Sequence, residues 1–564
     1  MTEQVRKQRR VLVTGALPYS NNRLHIGHIA GAYVPADIYV RFLRLCGAEV
    51  RFICGSDDHG VAIMLSAEKE GKTPAEVSRY YNEKQQRDFG SLGINFDIYG
   101  ATSRNPYHVK CSQDFFLKLL EKGYLGKQKT RQFYDDSRSM FLPDRFVKGV
   151  CGYCGKPDQN GDQCEDCGNA LDVDTLKNAY SVVSQTPASI KETVHWFLDL
   201  SRCGTEVENW LARATLRDFS RKYVRGLITT GLIKRSMTRD ISWGIPVPLS
   251  EPDAQGKVLY VWFDAPIGYI SNTMQLCAER GGSSEDYAEW WKSPDTEIYH
   301  FIGEDNTIFH CLIWIAMLHA EGSYQLPRGV VVNQFLNFQF PGKEVEKMSK
   351  SKGTAVWIED YIASGGNPDS LRYYLTVIAP ERARTVFNPE DLVQRHNADL
   401  ANNLGNFVNR IVSFTHKYCS PAVPECPSEK LTAVDQAFLA SIQKTHTEVT
   451  KLMEEFSFKS ALDTIMEFSR SCNRYVDEKA PWNTRKIDMP ATGVTLATAL
   501  NAIKLLTVTL APFMPFTAKK MAAQLGLELS QLNWEAAIEP LKAGTPLGKP
   551  EILFVKIDKP EGAA

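Results

Sequence analysis

The stretch Val11-Leu12-Val13-Thr14-Gly15-Ala16-Leu17-Pro18-Tyr19, which runs on through a polar turn to Leu24-His25-Ile26-Gly27-His28, decides the fold. Val11–Gly15 is the short apolar run of a buried strand, and residues 24–45 then follow helical spacing with small residues early. Glu49–Cys54 reads as a second buried strand, ending at Gly55-Ser56-Asp57-Asp58-His59-Gly60. Strand, helix and strand in close succession make a βαβ unit, which predicts an α/β fold with a parallel, doubly wound sheet. Ligands of such sheets sit beyond the carboxyl ends of the strands, where both His25–His28 and the Asp57 turn fall.

Outward from this unit, the pattern breaks near Glu121 into a Cys- and Gly-rich insertion. It returns at Val258-Leu259-Tyr260-Val261-Trp262, read as a strand, and at Ile298–Gly303, a strand followed by a helical run through Trp314. Together these predict the second half of the same sheet. Gly329-Val330-Val331-Val332 begins a further strand leading toward Lys347. After Phe387 the chain reads as helical throughout, and Leu496, Leu500, Ile503, Leu506 and Leu510 form one apolar face, as in a helix bundle. The expected division is 1–120, 121–250, 251–328, 329–387 and 388–564.

A chain of 564 residues is too long for one core, and 43% hydrophobic with 23% charged residues is ordinary for a soluble protein. The net charge of -1 excludes a global nucleic-acid signature, so any RNA contact must come from local basic patches. The basic start lacks an apolar signal region, and the apolar stretch Leu505–Phe516 is short and carries Pro512 and Pro515. No membrane association is expected. The 13 cysteines, mostly scattered, fit reduced thiols in a cytoplasm better than a disulfide framework.

Two signatures carry the chemistry. His25-Ile26-Gly27-His28 falls in the first turn of a helix, where unpaired backbone N–H groups and the helix dipole favour anions. Lys347-Met348-Ser349-Lys350-Ser351, followed by Gly353, is a polar, lysine-bearing loop able to close over a polyphosphate. Together they describe a grip on the triphosphate of ATP from two sides, balancing charge as an α-phosphate is attacked. No dinucleotide or P-loop motif accompanies them. Cys151-x-x-Cys154 and Cys164-x-x-Cys167, with Gly155 and Gly168 after each pair, can converge tetrahedrally on one structural Zn²⁺. Asp57, Asp58 and His59 read either as metal ligands or a general acid/base pair, or as one carboxylate that binds an ammonium group with the others capping the next helix; at the end of a buried strand a substrate-contacting role is expected. The aromatic segment Tyr260–Tyr269 reads equally as core or as the wall of an apolar pocket.

These motifs, with Ala16-Leu17-Pro18-Tyr19 and Ala480-Pro481-Trp482, resemble the class I aminoacyl-tRNA synthetases, and in detail the methionyl-tRNA synthetases. The resemblance runs from about Val11 to about Pro512. It implies a Rossmann-type catalytic domain split by a zinc-binding connective insert, a stem-contact domain carrying Lys347–Ser351, and an all-α anticodon-binding bundle. Leu17, Tyr19, Trp262, Ala265, Pro266, Tyr269 and His310, with Asp305 and Asn306, would enclose the methionine, and Asp57 would hold its ammonium group. His25, Gly27, His28 and Lys350 would bind ATP, carried with Mg²⁺. His25, His28 and Lys350, assisted by Lys347, would stabilise the transition state. Asn406, Arg410 and Trp482 match positions that read the anticodon. Asn306 stands where an aliphatic residue often lines the pocket.

The implied activity is a methionine–tRNA ligase of two steps: formation of methionyl-adenylate and pyrophosphate, then transfer to the terminal ribose of tRNA(Met), for initiation and elongation. The insert is too small for the editing domain typical of relatives specific for leucine, isoleucine or valine. A non-catalytic tRNA binder would be expected to have lost a signature or the bundle, and the four-cysteine cluster offers no open metal position for a metalloenzyme. The chain ends soon after the bundle, so a monomer is expected.

Overall fold

The computed structural model describes residues 9–339, 345–347 (as a strand only) and 355–558, apart from 162, 163, 165, 168 and 170. Met348–Ser351, Gly353 and Gly168 thus lie outside the described residues, as do the side chains of Lys347 and Asp144.

Six strands form the central sheet: β1 (Arg10–Gly15), β2 (Glu49–Ser56), β3 (Ile98–Ala101), β4 (Thr215–Leu216), β5 (Thr296–Gly303) and β6 (Gly329–Asn333). All neighbours pair in parallel, in the order β4-β6-β5-β1-β2-β3. The chain leaves β1 toward β2 on one side, while β5 and β6 build out on the other, so strand order reverses between β1 and β5. A crevice opens at such a reversal. Here it is stitched by His300, whose ring accepts from the Trp314 indole at 3.2 Å and therefore donates to the Thr14 hydroxyl at 2.6 Å. Burial holds His300 well below the usual histidine range, so the stitch is neutral.

The run Val258–Trp262 departs from expectation. Only Val258–Leu259 is extended, pairing antiparallel with Thr238–Arg239 outside the main sheet, and Val261–Glu279 is a helix. That helix is buried on nearly every face, so its sequence is apolar without helical periodicity and mimics a buried strand. Conversely, β4 comes from within the 121–250 segment. The rest of that segment is mainly antiparallel: Leu125–Asp135 and Ser189–Leu198 pair over ten positions, and a small three-stranded sheet carries Val147–Cys151.

Beyond β6, Leu336–Gln339 pairs antiparallel with Val345–Lys347 and parallel with Thr385–Phe387, putting Lys347 at the end of a hairpin strand. Asn406–Tyr418, Ala433–Glu454, Phe458–Lys479, Met489–Leu510 and Pro515–Gln524 are the bundle helices. Among the described residues after Gln524 only the short 3₁₀ turns Leu529–Gln531 and Glu535–Ile538 follow, so the described chain is not helical throughout beyond Phe387. By length and hydropathy alone Met489–Leu510 could cross a membrane, but 94% of its apolar window is buried within the protein.

Bundle and sheet share one core that runs from Val11 and Phe42 to Leu500 and Phe513. At their junction Arg372, fully buried, pairs with Asp37 at 2.7 Å and donates to the carbonyls of Leu92 (3.2 Å), Pro512 (2.7 Å) and Phe513 (2.8 Å). The planar fork answers four acceptors from three elements at once, which Lys cannot do. Arg372→Met should cost about 3 kcal/mol, moderated by the second partner of Asp37, Arg41. A lowered urea midpoint for the variant, only partly recovered by Arg372→Lys, is the expected result.

Candidate active site

The loop after β1 is fixed to the end of β2 by the backbone. Asp57 N–H donates to Pro18 O at 2.9 Å and Ser20 N–H to Asp57 O at 3.0 Å, which sets Tyr19 beside Asp57. Gln85 holds the same loop through the carbonyls of Tyr19 and Asn22. Gly60, at φ +90°, lets the chain turn sharply from His59 into the helix Val61–Glu70.

A pocket of about 290 Å³, part of it open to solvent, lies at the β1/β5 reversal. It is lined by Ala16 and Leu17 after β1, Trp262, Ala265, Pro266 and Tyr269 on the helix Val261–Glu279, and Asn306, Phe309 and His310 after β5. Gly268 allows the helix this close, since a Cβ there would lie 3.0 Å from the Leu17 side chain. Trp262 is a wall, stacked on Phe309 at 3.8 Å and 6° and edge-on to Tyr19, whereas Phe263 beside it is core. Phe309 was not foreseen; its apolar neighbours Ile308 and Leu312 give it the look of ordinary helix core.

His310 Nδ1 faces the Asn306 carbonyl at 3.2 Å and so carries the proton, leaving Nε2 to accept from the Tyr269 hydroxyl at 2.8 Å. Burial lowers His310 to about 4, so the pocket floor is uncharged. His28 leads into a π-helical turn, Ile29–Tyr33, and His310 sits in another, Phe309–Ile313; such wide turns redirect side chains and are frequent at sites. Asp305 lies just outside the pocket lining, on the turn Glu304–Asn306, and is exposed.

Asp57, Asp58 and His59 separate by role. Asp58 does not cap a helix: it accepts from Ser20, Ser56 and Ser103 hydroxyls at 2.7, 2.5 and 2.6 Å and lies 3.6 Å from Arg104. It ties β2 to the turn after β3. Asp57 is 2% exposed, and burial first, then Asp264 and Asp58, push its pKa well up. His59 pairs with Asp264 at 2.8 Å.

The His25–His28 turn is folded on itself. Gly27 N–H donates to His25 Nδ1 at 3.1 Å, His25 N–H to His28 Nδ1 at 3.3 Å, and the rings stack at 3.7 Å. Both Nδ1 atoms accept, so in each neutral ring the proton is on Nε2, giving two N–H donors. The backbone N–H groups expected to be open for an anion are occupied: Ile26 donates to Val356 O at 3.0 Å and His28 to His25 O at 2.9 Å. The segment following the second signature thus docks on the first. Ile358 N–H closes the contact on Leu24 O at 3.1 Å, and Arg23 lies over the Trp357 ring at 4.7 Å.

Cys151, Cys154, Cys164 and Cys167 bring their sulfurs within 4.8 Å of one another, with pairs at 3.8 and 3.6 Å. Zn–S bonds of about 2.3 Å in a tetrahedron require S···S edges of about 3.8 Å, so the donor set fits a closed site. The backbone N–H of Cys167 approaches Cys164 Sγ, and Asn169 approaches Cys167 Sγ, both at 3.4 Å. On the bundle, Arg410 lies over the Trp482 ring at 5.2 Å and pairs with Asp477 at 3.0 Å, with exposed Asn406 one turn before it on the same helix.

A family profile described as tRNA synthetases class I (M) matches residues 11–412, and one described as the anticodon binding domain of methionyl tRNA ligase matches 423–564. The methionine–tRNA ligase of Flavobacterium psychrophilum is 41% identical over 98% of this chain and 80% of its own. That of Pyrococcus abyssi is 41% identical over 97% and 76%. The structure of Mycobacterium tuberculosis methionyl-tRNA synthetase bound by methionyl-adenylate superposes with a TM-score of 0.79 at 25% identity, covering 97% of this chain and all of that one. The free-state structure of the same synthetase resembles the fold with a TM-score of 0.75 at 23% identity, covering 98% and 99%. With its sequence matched end to end and its fold shared, the chain belongs to the methionine-type class I tRNA synthetases, a family of ligases.

Proposed function

We propose that this ligase joins L-methionine to tRNA(Met) through methionyl-adenylate. The observation that supports it most is the docking of the segment after Lys347–Ser351 on His25–His28, beside an uncharged aromatic pocket and a buried, uncompensated Asp57.

The pocket takes the side chain. Rings of Trp262, Tyr269, Phe309 and Tyr19 suit a polarisable thioether, which needs contact rather than charge. Asp57 takes the ammonium group, leaving the carboxylate aimed toward the histidine turn. A carboxylate oxygen attacks the α-phosphorus of ATP, and the bond to the β,γ-pyrophosphate breaks. The two Nε2–H groups donate to phosphate oxygens as charge moves, and Lys347 and Lys350 add positive charge against the same phosphates. Mg²⁺ enters on the nucleotide phosphates and offsets their charge. In the second step a terminal ribose hydroxyl attacks the acyl carbon and AMP leaves. Arg410 and Trp482 present a stacking face to an unpaired anticodon base, with Asn406 beside it. Cys151, Cys154, Cys164 and Cys167 hold a structural zinc that orders the small sheet around Val147–Cys151. The protein acts as a cytoplasmic monomer in initiation and elongation.

His28→Asn should lower methionyl-adenylate formation in a single turnover by about a hundredfold or more with little change in methionine affinity. Unchanged adenylate formation would contradict the reading. Trp482→Ala should weaken tRNA(Met) binding by about 1–3 kcal/mol, read by fluorescence titration with a transcript. Cys164→Ser should drop bound zinc from one per chain to none and expose residues near 147–181 to protease. A variant that keeps its zinc would remove the metal assignment.

A further inference from the structure

Three buried carboxylates converge where β2 meets the helix Val261–Glu279: Asp57 at 2% exposure, Asp58 at 0% and Asp264 at 0%. So much negative charge out of water needs an answer for each group. Asp58 is answered by three hydroxyls and Arg104. Asp264 has one oxygen on the His59 ring at 2.8 Å, while its other oxygen has no partner among the described residues. Asp57 receives a single long hydrogen bond to its side chain among the described residues, from the His59 backbone N–H at 3.4 Å.

His59 therefore touches two of the three, one through its backbone and one through its ring. The remaining ring nearby cannot share the load. His108, 6.2 Å from His59 between ring centres, donates or accepts at Ser271, leaves Nε2 unpartnered, and is held by burial at about 3, hence neutral.

We propose that His59 and Asp264 are positioning residues, a charge-balanced pair that keeps Asp57 ionised and reserves it for the ammonium group of the amino acid. The inference rests on the reading of Asp57 given above. Three negative charges then meet three positive ones: Asp58 with Arg104, Asp264 with imidazolium His59, and Asp57 with the ligand. Burial pushes both Asp57 and Asp264 up, Asp264 and Asp58 push Asp57 further, and, against the cost of burial, Asp264 and Asp58 raise His59 above the usual histidine value. A neutral side chain at 59 leaves Asp264 facing Asp57 with no counter-charge, so a proton moves onto the pair and competes with the ammonium group. Because Asp57 is raised, its ionised form is lost as pH falls, and methionine binding weakens on that side.

The test is methionine-dependent ATP–pyrophosphate exchange across pH with the full, zinc-loaded chain. His59→Gln should raise the KM for methionine about tenfold, change kcat by less than about threefold, and move the acid limb of kcat/KM to higher pH. Asp264→Asn should leave that limb at or below its wild-type position. The double variant should recover both KM and limb toward wild type, since the uncompensated charge is gone. A double variant no better than His59→Gln, or a limb unmoved in His59→Gln, overturns the proposal. Should His59→Gln fail to fold, an Asp264→Asn limb above wild type overturns it equally. A wild type silent with methionine overturns the reading of the site as well; an active wild type with variants out of this order overturns the pair alone.

Discussion

Two backbone hydrogen bonds hold the site together: Ile26 N–H to Val356 O at 3.0 Å and Ile358 N–H to Leu24 O at 3.1 Å. They join segments more than three hundred positions apart. Loop closure over such a length costs several kcal/mol of chain entropy, which two hydrogen bonds alone do not recover. The shared core supplies the difference: Ile358 and Leu24 are both buried, and Arg23 adds ion pairs to Glu359 and Asp360. The same contact has a chemical consequence. It occupies the Ile26 amide, while the Gly27 and His28 amides are spent on His25 within the turn, so under the proposed function phosphate recognition falls to the Nε2–H groups of His25 and His28. Side-chain donors can tilt as charge develops, whereas amides fixed in a helix cannot.

Around this contact the electrostatics divide. On the β5 side, His310 and His300 are buried and neutral: His310 donates to the Asn306 carbonyl and accepts from the Tyr269 hydroxyl, His300 donates to Thr14, and the pocket presents rings without charge. On the β2 side the carboxylates gather: Asp58 is answered by three hydroxyls and Arg104, Asp264 by His59, and the proposed function gives Asp57 to the ammonium group. An amino acid has one end of each kind. Under the proposed function its carboxylate is repelled by the β2 cluster and directed toward the histidine turn. Asn306 lines the pocket; its backbone carbonyl accepts from His310, a bond any residue at that position can make, and its side-chain amide faces Asp305 at 3.4 Å.

The sequence was most legible where local chemistry is obligatory. Four cysteines in two short pairs leave few alternatives to convergence, and the strands before His25 and Asp57 read correctly because their neighbours are turns. Trp262, Ala265, Pro266, Tyr269 and His310 do share one pocket with Leu17. Legibility failed where burial erases periodicity: the helix Val261–Glu279 is buried on nearly every face, polar Asp264, Ser271, Asn272 and Thr273 included, so its start carries the pattern of a strand. It failed again where a partner is remote. Nothing near Ile26 foretells Val356, nothing near Asp264 foretells His59, and the stacking of Phe309 on Trp262 depends on a crossing of elements that local sequence does not encode.

The central claim is that a neutral aromatic pocket selects one amino acid for attack on ATP at the histidine turn. Amino-acid-dependent ATP–pyrophosphate exchange, run in parallel with all twenty amino acids, tests it most directly. Exchange with methionine alone is the expected result. Exchange with another amino acid in its place, or with none from folded and zinc-loaded protein, would contradict the account.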